Sequence, residues 1–497
     1  MQQYILAHDL GTSGNKASLF SLDGTLFASQ TYEYDTFYPA NNFVEQSADD
    51  WWRALCVTSK GLLASQNLSP ACIVGVCFSG QMMGCLPVDS CGMPLRNSII
   101  WADTRGTEQA SFMEKQLGME AVYKITGHRI SASYSAAKLL WIREHEPEIF
   151  DRTYKILQAK DYMIFKLTRC FVTDYSDASG TQLFDIRKKN WSKTILKALS
   201  IPENILPEPV ASSTQVGTVT PEAAVECGIL AGTPVIVGGG DGSCACVGAG
   251  VVAEGKAYNV LGSSSWTSYA SHTPYFDSQM RTFNWVHLDP DLYTPCGTMQ
   301  AAGYSYRWWK NGFCPEETEP NQVPPGSNGL LFLPYLLGER APLWDTEVRG
   351  SFIGLSVTSD RAAMTRAILE GVGFNLKHIL NILSEKQPIN DILLIGGGAK
   401  STLWPQILAD IWQRKLLLPA HPEEATSIGA AVCGGVGIGA FKDFGVVEQF
   451  NRITREVVPN QNHMEAYDQL YPIFLDAYER LKPISSQLAQ YRKEAES

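Results

Sequence analysis

The 497-residue sequence predicts an α/β chain of two domains that face each other across a cleft. Three observations predict it. The length exceeds what one core normally organises, so two large domains are the natural division. A strand running into Leu10-Gly11-Thr12-Ser13 is echoed half a chain later by one running into Leu261-Gly262-Ser263-Ser264, the mark of a fold built twice. Short apolar runs end repeatedly on glycines or a carboxylate, and longer helical patterns lie between them.

Composition narrows the class. A hydrophobic fraction of 45% and a charged fraction of 18% are those of a soluble globular protein. The net charge of −11 argues against a nucleic-acid or anionic-membrane surface but leaves room for a local cationic phosphate site. The 12 cysteines are scattered, without Cys-x-x-Cys, and several sit in apolar runs, as Cys72 and Cys77 do. They read as buried thiols of a reducing compartment. The 8 histidines show no metal-binding spacing. Met1-Gln2-Gln3-Tyr4 has no basic or long apolar leader character, and the uncharged stretch from Ser427 to Phe441 is too short to span a bilayer. A cytoplasmic protein without nucleic-acid or membrane partners is expected.

The elements follow in order. Tyr4 to Asp9 is a strand ending on a carboxylate, and Ala17 to Ser21 is the next. The turn between them carries Thr12, Ser13 and Lys16, whose hydroxyls, backbone N–H groups and ammonium can converge on a phosphate. An ordinary solvated hairpin is the alternative. Ser47 to Gln66 reads as a capped amphipathic helix, and Cys72 to Phe78 as a strand ending in Ser79-Gly80-Gln81-Met82-Met83. Ile99-Ile100-Trp101 is a short strand before Asp103. Amides, an aromatic face and a carboxylate at strand ends suit a polyol. Against that, the methionines can be core and Asp103 a helix N-cap. Ser133 to His145 and Ala159 to Leu167 read as helices.

Thr233 to Val237 is a buried strand running into Gly238-Gly239-Gly240-Asp241-Gly242-Ser243. Three glycines allow a tight turn and close approach, with Asp241 either a turn residue or a site. Lys256 to Val260 leads into the second hairpin, with Gly262, Ser263 and Ser264. Cys296 to Trp309 reads as the start of a helix, with Gly303 and Arg307 on adjacent turns. Asp360 to Leu383 is the longest helical pattern. Ile392 to Ile395 is a strand running directly into Gly396-Gly397-Gly398, glycines that admit a flat ring or ribose against the backbone, with Ser401 beyond. Ala425 to Gly437 is a Gly/Ala-rich helix, and Met464 to Leu481 a helix interrupted at Pro472.

Two phosphate hairpins, two carboxylates and a glycine shelf describe an ATP site between two domains. Phosphoryl transfer asks a protein mainly for positioning, a magnesium ion and a base near the acceptor hydroxyl. Asp9 suits the magnesium shell, through water. Asp241 suits the base.

These residues resemble those of the FGGY family of carbohydrate kinases, within the actin/hexokinase-like (ribonuclease H-like) ATPases. The resemblance covers nearly the whole chain. Asp9 to Ser13 with Lys16 is similar to the family's first phosphate motif, and Ser133 to His145, with Lys138 and Trp141, to its first signature. Arg349-Gly350, Gly354-Leu355, Arg366-Ala367 and Glu370-Gly371 resemble the second signature region, and Gly397-Gly398-Ala399 with Ser401 and Trp404 the adenosine motif. The resemblance implies two actin-like domains, each a mixed sheet flanked by helices. Residues 1–241 would bind sugar and carry the first phosphate motif, and residues 242–485 would bind nucleotide. It implies Asp241 as catalytic base, with Thr12, Ser13, Lys16, Gly262, Ser263 and Ser264 on the phosphates. Gly303, Arg307, Gly397, Gly398 and Ser401 would hold the rest of ATP. Gln81, Met82, Met83, Trp101 and Asp103, with Asp241, would contact the sugar, and Asp9 would serve Mg2+.

Within the family, xylulokinases are most similar, through Ser79-Gly80-Gln81-Met82 and Leu333-Pro334-Tyr335-Leu336 with Gly338-Glu339-Arg340. Met83 stands where they usually carry His, and Gly242 where Asn commonly follows the aspartate. Both changes remove polar contacts, so specificity is expected to shift or relax. Trp101-Ala102-Asp103-Thr104-Arg105 resembles the matching run of gluconate kinases. D-Xylulose, phosphorylated to D-xylulose 5-phosphate, is the expected acceptor. Gluconate, another pentulose or a polyol is the alternative within the class, and a catalytically silent sugar- or nucleotide-binding regulator the alternative outside it. A homodimer is left open.

Overall fold

The computed structural model describes residues 2–496. Met1, where the first domain is expected to begin, lies outside them. The first sheet has seven strands. Strands β1 (Tyr4–Leu10), β2 (Gly14–Ser21) and β3 (Leu26–Glu33) form an antiparallel meander. Helix α1 (Ala48–Ser65), N-capped by Ser47, crosses to β4 (Ile73–Gly80), which lies parallel to β1. Helices α2 (Ser135–His145), α3 (Ala159–Thr168) and α4 (Tyr175–Ser179) precede β5 (Gln215–Thr218) and β6 (Pro234–Ile236). The short β7 (Gly239–Gly240) pairs with the end of β4, and helix α5 (Asp241–Ala249) begins on the next residue.

The second sheet repeats this plan. Strands β8 (Ala257–Leu261) and β9 (Ser265–Tyr269) form the hairpin; β10 (Phe283–Val286) and β11 (Tyr293–Met299) extend it on the antiparallel side. Helices α6 (Gly303–Gly312) and α7 (Arg361–Ser384) lead to β12 (Asp391–Ile395), parallel to β8. Helix α8 (Trp404–Trp412) then leads to β13 (Lys415–Pro419), parallel to β12. Helix α9 (Ala425–Gly437), edge strand β14 (Ile453–Val457) and helix α10 (Gln461–Glu496) complete the chain. The orders β5-β6-β4-β1-β2-β3 and β10-β11-β9-β8-β12-β13-β14 share a meander, two parallel neighbours and an antiparallel edge. The duplication signalled by the two hairpins is therefore a duplication of topology.

Helix α9 lies in the second half of the chain but packs on β1 and β4 of the first sheet, against α5. Its small residues make that possible. A Cβ at Gly429 would stand 2.0 Å from the Cys244 carbonyl oxygen, and one at Gly248 1.8 Å from that of Ala425. Ile5, Cys77, Cys244, Val247, Ile428 and Val432 bury one another at this crossing.

Three sequence expectations are corrected. Cys296 lies in β11, held by pairing to β9 and β10, and helix begins only at Gly303. Long-range pairing overrides the small-residue signal there. Helix α10 runs through Pro472 and Pro483 without interruption. Proline removes one backbone donor, but buried Tyr467, Phe474 and Tyr478 keep the segment docked on the second core. The run at Ile99-Ile100-Trp101 supplies only Ser98–Ile99 to a ladder, which leaves Trp101 in a turn. Among the described residues no helix is long and apolar enough to cross a membrane.

Candidate active site

The strand ends meet in one place. Asp9 pairs in register with Lys16 on β2 and with Ser79 on β4, and Gly239 pairs with Ser79 from the other side. The approach is so close that a Cβ at Gly238 would stand 1.8 Å from the Phe78 carbonyl oxygen; with φ at +72°, only glycine fits. This delivers Asp241 to the cleft as the first residue of α5.

The two carboxylates are not equivalent. Ser79 Oγ donates to Asp9 Oδ1 at 2.8 Å, and Thr426 Oγ1, from the start of α9, donates to Oδ2 at 2.6 Å. Burial nonetheless holds Asp9 above the ordinary carboxylate value, against those bonds and the Lys16 charge. Asp241 is half-buried and, among the described residues, accepts a single hydrogen bond, from the Gly242 N–H at 2.7 Å. Burial first, and the Asp9 charge second, push it up to about 7. A carboxylate poised near neutrality is suited to proton transfer.

Two chambers open here. One, of about 480 Å³, is lined by Thr12, Met82, Met83, Trp101, Asp241 and Gly242 from the first half, and by Ser263, Ser264, Trp266, Phe283, Trp285 and Arg340 from the second. The other, of about 530 Å³, is lined by Gly262, Ser263, Gly303, Arg307, Gly397, Gly398, Ser401 and Trp404. Ser263 borders both. The start of α6 docks on the second hairpin: Gly303 N–H donates to Gly262 O at 2.9 Å, and Arg307 Nη2 donates to Ser263 Oγ at 2.6 Å. On the first hairpin Trp101 Nε1 donates to Thr12 Oγ1 at 2.9 Å.

Five expected residues line neither chamber. Asp9 acts on Asp241 through its charge. Ser13 is exposed at the hairpin tip. Lys16 reaches across to Glu424, at 2.9 Å, just before α9. Gln81 is buried and donates to Gln46 Oε1 at 2.7 Å, and Gln46 Nε2 in turn donates to Thr12 O at 2.6 Å on the first hairpin. Asp103 is also corrected: it neither faces the chamber nor caps the next helix, whose N-cap is Gly106. Its fully buried carboxylate is saturated by the Arg105 guanidinium and the Val44 N–H, at 2.6 Å. A carboxylate with that many donors is structural.

Sequence reasoning missed Trp266, Phe283, Trp285 and Arg340. The alternation Phe283-Asn284-Trp285 was the available signal, since it puts both rings on one face of a strand. Arg340 is anchored by its neighbour. Buried Glu339 accepts the Gln300 and Arg340 N–H groups, both at 2.9 Å, and burial pushes Glu339 up to about 8.

Asp9 and Asp241 are oxygen donors that repel one another. Among the described residues no group of three or more His, Cys, Asp or Glu could cage a metal alone. Such a set fits a hard divalent cation whose other ligands are phosphate oxygens and water.

The architecture and motifs have relatives. The model of the FGGY family of carbohydrate kinases, N-terminal domain, matches residues 4–248, and that of the family's C-terminal domain matches residues 257–438. A xylulose kinase of Bacillus subtilis is 34% identical, over 99% of this chain and 100% of its own length. The crystal structure of a ligand-bound xylulose kinase from Lactobacillus acidophilus superposes with a TM-score of 0.92 at 26% identity, covering 98% of this chain and 100% of that one. The structure of a gluconate kinase from the same organism gives the same TM-score, identity and coverage. The two-domain actin-like ATPase fold is thus the observed one, and the chain belongs to the FGGY family of carbohydrate kinases.

Proposed function

We propose that the protein transfers the γ-phosphate of ATP to a hydroxyl of a small open-chain sugar, with D-xylulose, at its terminal hydroxyl, as the first acceptor. The observation that carries this reading is Asp241. It stands between two phosphate hairpins, in a chamber with aromatic walls, with its carboxylate raised to about 7 and a single N–H donor. Asp241 would orient the acceptor hydroxyl and take its proton. Thr12, Ser13, Ser263 and Ser264 would donate to phosphate oxygens, with Lys16 adding charge. Gly262, Gly303, Arg307, Gly397, Gly398 and Ser401 would hold the remainder of ATP. Asp9, through water, would hold Mg2+, which neutralises phosphate charge when bound. Met82, Met83 and Trp101 would face the sugar. The division of labour runs between residues 1–241 and 242–485, and a cytoplasmic enzyme follows from the substrates.

A second reading, D-gluconate, is favoured by Arg340. Its guanidinium lines the acceptor chamber beside Phe283, and no ion pair to a carboxylate engages it among the described residues. A substrate carboxylate would supply one. A coupled ADP-release assay across D-xylulose, D-gluconate, D-ribulose and xylitol tests both. The highest kcat/KM is expected for D-xylulose. A higher value for another member removes that acceptor, and ligand-raised melting without ADP release from any of them would mean a silent binder.

A further inference from the structure

The first signature helix carries a fully buried lysine, Lys138. Among the described residues its ammonium makes no ion pair with a carboxylate. It donates to two backbone carbonyls, Met83 O at 2.8 Å and Ser133 O at 2.5 Å. One turn earlier on α2, Ser135 Oγ donates to Gly84 O at 2.7 Å. Gln158 completes the arrangement: its Oε1 accepts the Gly84 N–H at 2.7 Å, and its Nε2 donates to Ser135 Oγ at 3.2 Å. Three of these bonds end on the Met83-Gly84 peptide pair, and the other two tie their side chains to Ser133 and to one another.

The backbone there needs holding. Met83 has φ at +63°, in the left-handed region that a long side chain rarely adopts. Such a conformation persists only where its surroundings impose it, and it clusters at ligand sites. Met83 also lines the acceptor chamber. We propose that Lys138, seconded by Ser135, is a positioning residue that holds Met83 in its left-handed turn and thereby sets the wall of the sugar pocket. The proposal rests on the reading that this chamber takes the sugar.

The location of Lys138 supports the assignment. Burial pushes its ammonium down to about 7, although Asp103 and Cys85 pull it up; Arg105 adds to the lowering. A buried cation hydrogen-bonded to two carbonyls and helped by the Asp103 charge only from outside hydrogen-bond reach is a poor stabiliser, so structure by itself gives little reason for it. Without it, two partly buried carbonyls lose their donor and the Met83 turn can relax.

Full-length Lys138→Met, Ser135→Ala and Met83→Ala are compared with wild type, using the acceptor that wild type turns over best. For Lys138→Met the acceptor KM is expected to rise about ten-fold, with kcat changed less than about three-fold and the ATP KM unchanged. Ser135→Ala should move the same way by less; it carries the test alone if Lys138→Met does not fold. Wild-type acceptor KM in both variants, with a shifted KM in Met83→Ala, overturns the positioning role and leaves the chamber reading intact. Unchanged acceptor KM in all three overturns the chamber reading and the proposal with it. Parallel rises in the acceptor and ATP KM would mean a general structural role and would also overturn it.

Discussion

At the scale of residues, one carboxylate with a raised proton affinity governs the expected pH dependence. Asp241 keeps its proton below about 7, where it cannot accept another, so kcat/KM should rise as pH increases through about 7. Stability should run the opposite way. The folded state binds this proton more tightly than the unfolded chain, whose carboxylate has the ordinary value of 3.8. The penalty for the buried charge is therefore absent below about 4, grows through the interval, and is complete above about 7. Asp241→Asn removes it. With allowance for water in the cleft, the variant should be more stable than wild type by about 1–3 kcal/mol at pH 8 and nearly equal at pH 4. Thermal melts at the two pH values check this. A variant less stable at pH 8 would mean that the carboxylate is held by donors rather than opposed by burial.

At the scale of elements, the two hairpins were legible because the strand and turn chemistry that makes them is local. Thr12, Ser263 and Asp241, which line one chamber, each come from such a short stretch. The wall of Trp266, Phe283, Trp285 and Arg340 was not legible in this way, because three separate segments of the second half assemble it. Asp103 misled because a carboxylate after a strand looks alike whether it faces a sugar or an arginine two residues on. The placement of α9 was equally hidden. Its Gly/Ala richness announces close packing, yet not that the partner is α5 and the first sheet. That crossing yields a test. Gly429→Ala drives a methyl to 2.0 Å from a backbone carbonyl that cannot yield without moving α5. Overpacking of this kind costs about 1–3 kcal/mol or more. Because α5 begins at Asp241, melting temperature and turnover should fall together. A variant with unchanged melting would show that the helices do not meet as described.

At the scale of the whole molecule, two copies of one topology bring a hairpin each to a shared cleft, and the chambers on either side of Ser263 meet there. Lys16–Glu424 and Asp9–Thr426 tie the first hairpin to the start of α9. Closing such a cleft excludes water and limits hydrolysis of the phosphate donor, so acceptor binding and catalysis belong to one assembly. The family match establishes a sugar kinase; the central claim beyond it is that Asp241 takes the acceptor's proton. Acceptor-dependent ADP release by Asp241→Asn, with ATP binding measured on the same preparation, tests that claim most directly. The expected variant is folded, binds ATP like wild type and loses at least about 100-fold in turnover. Turnover within a few-fold of wild type would contradict the claim and assign the proton to another group.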